Sequence, residues 1–331
     1  MKTDMFRKAN RPAAKVIGKA IKKAGKIGIV GHVRPDGDDV GACLGMAGYI
    51  RTIKPEASVT VFLEEFSKDF EFLAGAKDVC HDFSQDIHFD LCFALDCADS
   101  ARMGEAAKYF TGADERICID HHITNTGLEG AYCLINPERS SACEVVCTVI
   151  DMNRLSKQTA ECLYLGIVHD TGVFMHSNTL NETMIYAGKL IELGAEPAFI
   201  IENTFYKKTF AQNKALGRAL DNAMLLLDGK LIYSFFTKEM MEEMSVRSTD
   251  LDGVIDQLRV TEGTLVSAFI YWKGCEDAYK VSLRSKEAVN VGDIAVSFGG
   301  GGHAHAAGCE LSGTPEEIAQ IIAKEVEKQL S

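Results

Sequence analysis

The 331-residue sequence has no stretch near the roughly 18 consecutive apolar residues that a membrane-spanning helix needs, although 47% of its residues are hydrophobic. Its first residues include Lys2, Asp4, Arg7 and Lys8 where a secretory leader needs an apolar core. These two absences predict a soluble, cytoplasmic chain with no membrane partner. No pair among its 11 cysteines has C-x-x-C spacing, which disfavours a zinc ribbon. The spacings are not those of a disulfide framework either. Cys92, Cys118 and Cys147 fall inside apolar runs and read as reduced thiols used as small core residues. Cationic side chains are also scarce: 35 Lys and Arg stand against 47 Asp and Glu, for a formal charge of -12. An electrostatic track for duplex nucleic acid wants a basic surface, so short oligonucleotides or mononucleotides are the better-fitting partners. No repeat of about 20 to 50 residues and no low-complexity tract is present. The length suits two ordinary domains.

What the chain does have is a dense set of acids and imidazoles at the ends of apolar runs. Gly31-His32-Val33-Arg34-Pro35-Asp36-Gly37-Asp38 follows the run Lys26 to Val30 and precedes a helical segment. One His and two Asp so close together repel or desolvate one another unless a cation sits between them. The run Asp90 to Leu95 ends in Asp96, and Arg116 to Ile119 ends in Asp120-His121-His122. Leu163 to Val168 is followed by His169 and Asp170, which gives it the same look of a strand with an acid at its edge. Parallel α/β sheets collect ligands outside the carboxyl ends of their strands. Mixed Asp and His donors favour manganese, iron or magnesium over structural zinc. For Asp36 and Asp38 alone, an Asx-type turn with Pro35 and Gly37 is the competing account.

The set His32-x-x-x-Asp36-x-Asp38, Asp96, Asp120-His121-His122 and Asp170 resembles the DHH phosphoesterase family. Gly299-Gly300-Gly301-Gly302-His303 followed by Ala306-Ala307-Gly308 resembles that family's associated C-terminal domain. In order and length the match looks most like the NrnA-like nanoRNases that also act on 3'-phosphoadenosine 5'-phosphate. The resemblance implies an α/β fold of two lobes, a doubly wound, mostly parallel N-terminal sheet and a smaller C-terminal α/β domain, with the active site in the cleft between them. It implies two Mn2+ ions, one held by His32, Asp36 and Asp96, the other by Asp38, Asp96, His121 and Asp170, with Asp96 bridging. Asp120 would orient His121 through its ring N-H, and His122 would serve catalysis, with a plain surface histidine as its alternative. Arg284, Ser285, Gly300, Gly301, Gly302 and His303 would bind substrate. The implied activity is hydrolysis of short RNA to nucleoside 5'-monophosphates and of 3'-phosphoadenosine 5'-phosphate to AMP.

Along the chain, the pattern predicts a catalytic domain over 1–195, a long helical linker over 196–227 and a substrate-binding domain over 228–331. Helices are expected over 12–24, 38–53, 156–172 and 181–193, and strands over 26–33, 58–63, 90–96, 116–120 and 131–135. Ser140 and Ser141 precede a helix with Glu144 in capping-box position, and a phosphate contact is equally open for them. The second domain shows strands over 231–236, 264–271 and 279–283 and helices over 250–259, 290–298 and 315–329. Its glycine run can approach an anion closely, or simply form a hairpin. A cyclic di-AMP or pApA phosphodiesterase is the alternative within the same scaffold. A lysine-rich pyrophosphatase lobe, extra RecJ-type domains and a catalytically dead nucleotide-binding regulator fit the residues less well. A homodimer is compatible with the sequence and not fixed by it.

Overall fold

The computed structural model describes residues 10–274, 278–286 and 288–330. The charged residues at positions 2, 4, 7 and 8 therefore lie outside the described residues. By its contacts the chain divides into Met1–Lys207 and Lys208–Ser331.

The first unit is built on five strands: β1 (Lys26–Val30), β2 (Ser58–Phe62), β3 (Leu91–Leu95), β4 (Glu115–Asp120) and β5 (Tyr132–Ile135). They form one parallel sheet in the order β2-β1-β3-β4-β5. β3 is buried at every position, as a central strand covered on both faces must be. Odd and even residues then feed two separate cores. Ile117 and Ile119 face one layer, and Cys118 faces the other with Phe89, Tyr109 and Phe110.

Among the described residues the helices of this unit are α1 (Arg11–Lys23), α2 (Gly37–Ile53), α4 (Ala142–Val149), α5 (Lys157–Asp170), α6 (Asn181–Glu192) and α7 (Pro197–Thr204), with the short α3 (Ala107–Thr111) on the opposite layer. α2 is apolar nearly all round and sits in the middle of the core. It packs on α5 without clearance. A Cβ at Gly41 would stand 2.5 Å from the Cys162 carbonyl oxygen, and one at Gly45 would stand 2.5 Å from Leu163. That close approach brings the start of α2 and the end of α5 beside the same strand ends.

Two expectations need correction here. The strand-like look of the apolar run Leu163–Val168 gives way to the helix expected over 156–172: the run lies in α5, 14 residues long and capped by the Ser156 hydroxyl. The 196–227 segment is not one helical connector. α7 ends at Thr204, and α8 (Phe210–Asp221) begins at a new capping box in which Thr209 and Gln212 satisfy each other's backbone N–H groups. The strand β6 (Met224–Leu226) follows.

The second unit adds β7 (Leu231–Phe236), β8 (Val266–Trp272), β9 (Ala278–Ser285), β10 (Gly301–His303) and β11 (Ala306–Ser312), with α9 (Lys238–Met244), α10 (Val254–Arg259), α11 (Val291–Ser297) and α12 (Pro315–Leu330). Its six-stranded sheet runs β10-β11-β9-β8-β7-β6, antiparallel except for the β7–β8 pair. Among the described residues, no helix is long and apolar enough to cross a membrane.

Candidate metal centre

The loop after β1 starts at a glycine for a packing reason. A Cβ at Gly31 would fall 1.9 Å from an oxygen of Asp39, whose buried carboxylate accepts the His32 backbone N–H at 3.1 Å. Asp39 carries no signal in the sequence beyond its neighbour Asp38, yet it sets the position of His32. The His32 ring is pinned in turn by Nδ1 against the Val33 carbonyl at 2.9 Å, which leaves Nε2 pointing at Asp36 (3.9 Å) and Asp96 (3.6 Å).

Asp36 is the N-cap of α2, where its Oδ1 accepts from the N–H groups of Asp38 and Asp39 at 2.9 and 3.2 Å. The turn and the cluster are thus one arrangement, not competing ones. Asp38 is wholly buried and aimed at the start of α4, where Ala142 and Cys143 donate backbone N–H groups at 2.6 and 3.0 Å. The exposed amides of a helix start suit a carboxylate. Asp96 follows β3 with φ 55°, a left-handed conformation that costs an L-residue about 1–2 kcal/mol.

His121 Nε2 stands among three carboxylates: Asp96 at 3.5 Å, Asp170 at 3.4 Å and Asp38 at 3.9 Å. Asp170 arrives from the last turn of α5. Behind it Gly172, Val173 and Phe174 take φ of 54°, 59° and 62°, and the Thr171 hydroxyl accepts the Phe174 N–H at 3.0 Å.

Asp120 does not orient the His121 ring, contrary to expectation. Its Oδ1 accepts the His121 backbone N–H and contacts His122 Nδ1, both at 2.8 Å, while Oδ2 accepts from Asn125 at 2.7 Å. The chain Asn125–Asp120–His122 therefore fixes the second imidazole of the pair. The reason is rotational: successive residues leaving a strand point to opposite sides, so Asp120 shares a side with His122.

The electrostatics of the cluster demand positive charge. Burial, then Asp96 and Asp170, push Asp38 well above the usual carboxylate range. Burial also pushes Asp170 up, to about 6. In His32 and His121 burial alone would favour the neutral ring, but Asp96 and the other acids outweigh it and raise them to about 9 and 10. Burial likewise opposes ionisation of Asp96, yet His121 and His32 hold it below the ordinary range. Even so, Asp96 Oδ1 is buried with no hydrogen-bond partner. Two donor sets, His32/Asp36/Asp96 and Asp38/His121/Asp170, each have ligand atoms within 4.8 Å of one another, as does Asp96/His121/His122. Divalent cations fit this arrangement, since they would satisfy the orphaned oxygen and balance the acids at once.

Several flanking residues turn out to be structural. Ser141 caps α4 through the Glu144 N–H at 3.0 Å, and the Ser140 hydroxyl donates to the buried Glu144 carboxylate at 2.7 Å. Glu144, read from the sequence only as a capping-box residue, also accepts from Thr183 and Arg139 and so braces the turn that holds Asp38. His169 packs on Phe70 and Phe205.

In the second unit, Arg284, Ala306 and His303 are in register on three adjacent strands, so Arg284 and His303 share a face. Arg284 Nε lies 3.7 Å from Asp256. Ser285 is buried and its hydroxyl donates to the Val289 carbonyl at 2.6 Å. The glycine run is not a loop throughout: its last part is strand β10. Gly300 and Gly302 are required there, since a Cβ would stand 2.2 Å from the Gly308 oxygen or 2.5 Å from that of Ala306. A Cβ on Gly301 would meet nothing within 4 Å.

Residues 26–167 match the model for the DHH family, N-terminal domain, and residues 228–331 match the DHHA1 domain. The bifunctional oligoribonuclease and PAP phosphatase NrnA of Thermus thermophilus is 28% identical over 310 residues, covering 91% of this chain and 90% of that one. The cyclic-di-AMP phosphodiesterase GdpP of Geobacillus thermodenitrificans is 25% identical, over 99% of this chain and 51% of its own. A solved exopolyphosphatase-related protein from Bacteroides fragilis superposes with TM-score 0.84 at 26% identity, with 96% of each chain covered. The acids and imidazoles converge on one cluster within the first unit, and the chain carries a DHH family N-terminal domain followed in sequence by a DHHA1 domain.

Proposed function

We propose that the protein is a manganese-dependent hydrolase of short RNA, releasing nucleoside 5'-monophosphates from an end, and of 3'-phosphoadenosine 5'-phosphate, releasing AMP, in the cytoplasm. The observation that carries this reading is Asp96: one buried carboxylate with Oδ2 toward His32 and Oδ1 toward His121, between two donor sets. One Mn2+ would rest on His32, Asp36 and Asp96, and a second on Asp38, Asp96, His121 and Asp170. Such a pair supplies a nucleophile near neutral pH and neutralises charge on the phosphate oxygens. The near-full-length likeness to an NrnA supports short RNA and PAP as substrates.

The chain's own residues supply the rest. His122, held by Asp120 and partly exposed, is placed to donate a proton to the scissile phosphate or its leaving oxygen. Its pKa is raised, first by the Asp120 hydrogen bond. In the second unit, the Arg284 fork and His303 take up a substrate phosphate, and the bare Gly301 leaves room for it. Ser285 would act there by holding the strand in place.

The test is turnover of RNAs of about two to five nucleotides against a long RNA, with and without Mn2+. Rapid, metal-dependent cleavage of the short substrates is expected, and equal rates on long RNA would contradict the proposal. Likeness to GdpP over 99% of this chain favours one second reading, a cyclic di-AMP or pApA phosphodiesterase. Adding those two substrates and PAP to the panel decides between them.

A further inference from the structure

Cys118 and Cys133 are register partners on the adjacent parallel strands β4 and β5, and both sulfurs face the layer formed by Phe89, Tyr109 and Phe110. Adjacent strands lie about 4.8 Å apart, inside the Cα separation of about 4.4–6.8 Å that a disulfide spans. The two thiols differ in access: Cys118 is fully buried, while Cys133 is half-buried at the sheet edge. The backbone N–H of Leu128 lies 3.2 Å from Cys133 Sγ, and that thiol faces the Leu128 and Ala131 carbonyl oxygens, each at 3.8 Å. Cys133 is the more accessible of the two, so it is the sulfur that meets an oxidant first.

We infer that Cys133 is an oxidation site resolved by Cys118, so that a peroxide converts the pair to a reversible disulfide. In the first step the Cys133 thiolate attacks a peroxide oxygen. The O–O bond breaks, the sulfur becomes a sulfenic acid and the peroxide is reduced to water or an alcohol. In the second step Cys118 attacks that sulfur, the S–S bond forms and the hydroxyl leaves as water with the Cys118 proton. The bridge closes a loop that carries Asp120, His121, His122 and Asn125. It also takes Cys118 Sγ from Asn125, which donates to it at 3.6 Å and to Asp120 at 2.7 Å. The redox state of the edge strand is thereby coupled to the residue that holds His122.

The experiment is peptide mapping of the full chain under non-reducing conditions after graded hydrogen peroxide. A linked pair of peptides containing Cys118 and Cys133, lighter by two hydrogens and restored by dithiothreitol, is expected. Cys118→Ser should leave Cys133 as a sulfenic acid that dimedone traps, and Cys133→Ser should leave Cys118 a free thiol. The half-buried Cys80 is the internal control. If Cys80 is oxidised while Cys118 and Cys133 both stay free, or if Cys133 links to a different cysteine, the inference is overturned.

Discussion

The acid and imidazole cluster of the first unit and the arginine and glycine face of the second are built on opposite plans. In the cluster almost every side chain is fixed by another group before any ligand arrives: Asp36 by two amides, Asp38 by the start of α4, His32 by Val33, and His122 by Asp120. On the second face Arg284 donates to the Leu283 carbonyl at 3.1 Å and lies 3.7 Å from Asp256, and the strand that bears His303 is exposed along its length. Preorganised, desolvated donors suit charge stabilisation at a reacting phosphorus. A long cation beside a bare strand suits grip on substrates that differ in shape. The contrast teaches that one chain can hold a buried cluster of donors to a close tolerance and an exposed cationic face to a loose one.

That contrast can be broken by substitution. The largest effect is expected from Asp96→Asn, which removes the one carboxylate common to both donor sets. Turnover should drop by about a thousandfold or more, the loss of several kcal/mol of charge stabilisation, and metal stoichiometry measured by calorimetry should fall with it. Next comes Asp120→Asn, which should lower kcat by about a hundredfold through the loosened His122 while leaving metal content intact, because the amide oxygen still accepts the His121 backbone N–H. A KM change with kcat preserved would place Asp120 on the capture side instead. Arg284→Ala should do the reverse of Asp120→Asn, raising KM about tenfold or more through one lost charge-assisted contact. Steady-state kinetics on short RNA separate the two.

The smallest expected effect concerns pH and sharpens the comparison without a mutation. His32 and His121 have folded pKa values raised to about 9 and 10 in the metal-free cluster, above an unfolded value of about 6.5. Their contribution to stability is fully present below pH of about 6.5 and is lost as pH rises through 9 and 10. Thermal melts of metal-free protein should therefore decline over that window, whereas the metal-loaded form should not, since its ligands are already unprotonated. Metal affinity should rise over the same window.

Much of the cluster was legible because each acid follows an apolar run at a strand end, and a parallel sheet gathers such ends on one edge. Asp170 broke that pattern. Its apolar run of six residues has no periodicity that separates strand from buried helix, and only the Ser156 cap and the length of α5 decide the matter. The break at 205–209 was written as a capping box, Thr209 with Gln212, inside a long apolar pattern that masked it. The partner of Asp120 depends on which way successive side chains leave β4. Asp39 and Asn125 could not be found at all, and Glu144 was visible only as a capping residue, because a buried polar residue is defined by the atoms around it, which no local spacing encodes. The glycine run read as an anion loop is half explained by packing of β10 on β11, which accounts for Gly300 and Gly302; Gly299 has φ 76°, and Gly301 has neither a crowded Cβ position nor a positive φ.

The three successive left-handed residues behind Asp170 carry a consequence for evolution as much as for mechanism. Val173 is β-branched at φ 59°, and Phe174 follows at 62°. A stereochemical penalty of about 1–2 kcal/mol at each is spent on the backbone and not on any contact with a ligand. Val173→Gly should thus raise the melting temperature of the first unit, and a fall would show that the valine's packing against its core outweighs the torsional debt. If the melt rises while turnover falls, the tail of α5 is a place where selection has kept an awkward backbone because it aims a carboxylate.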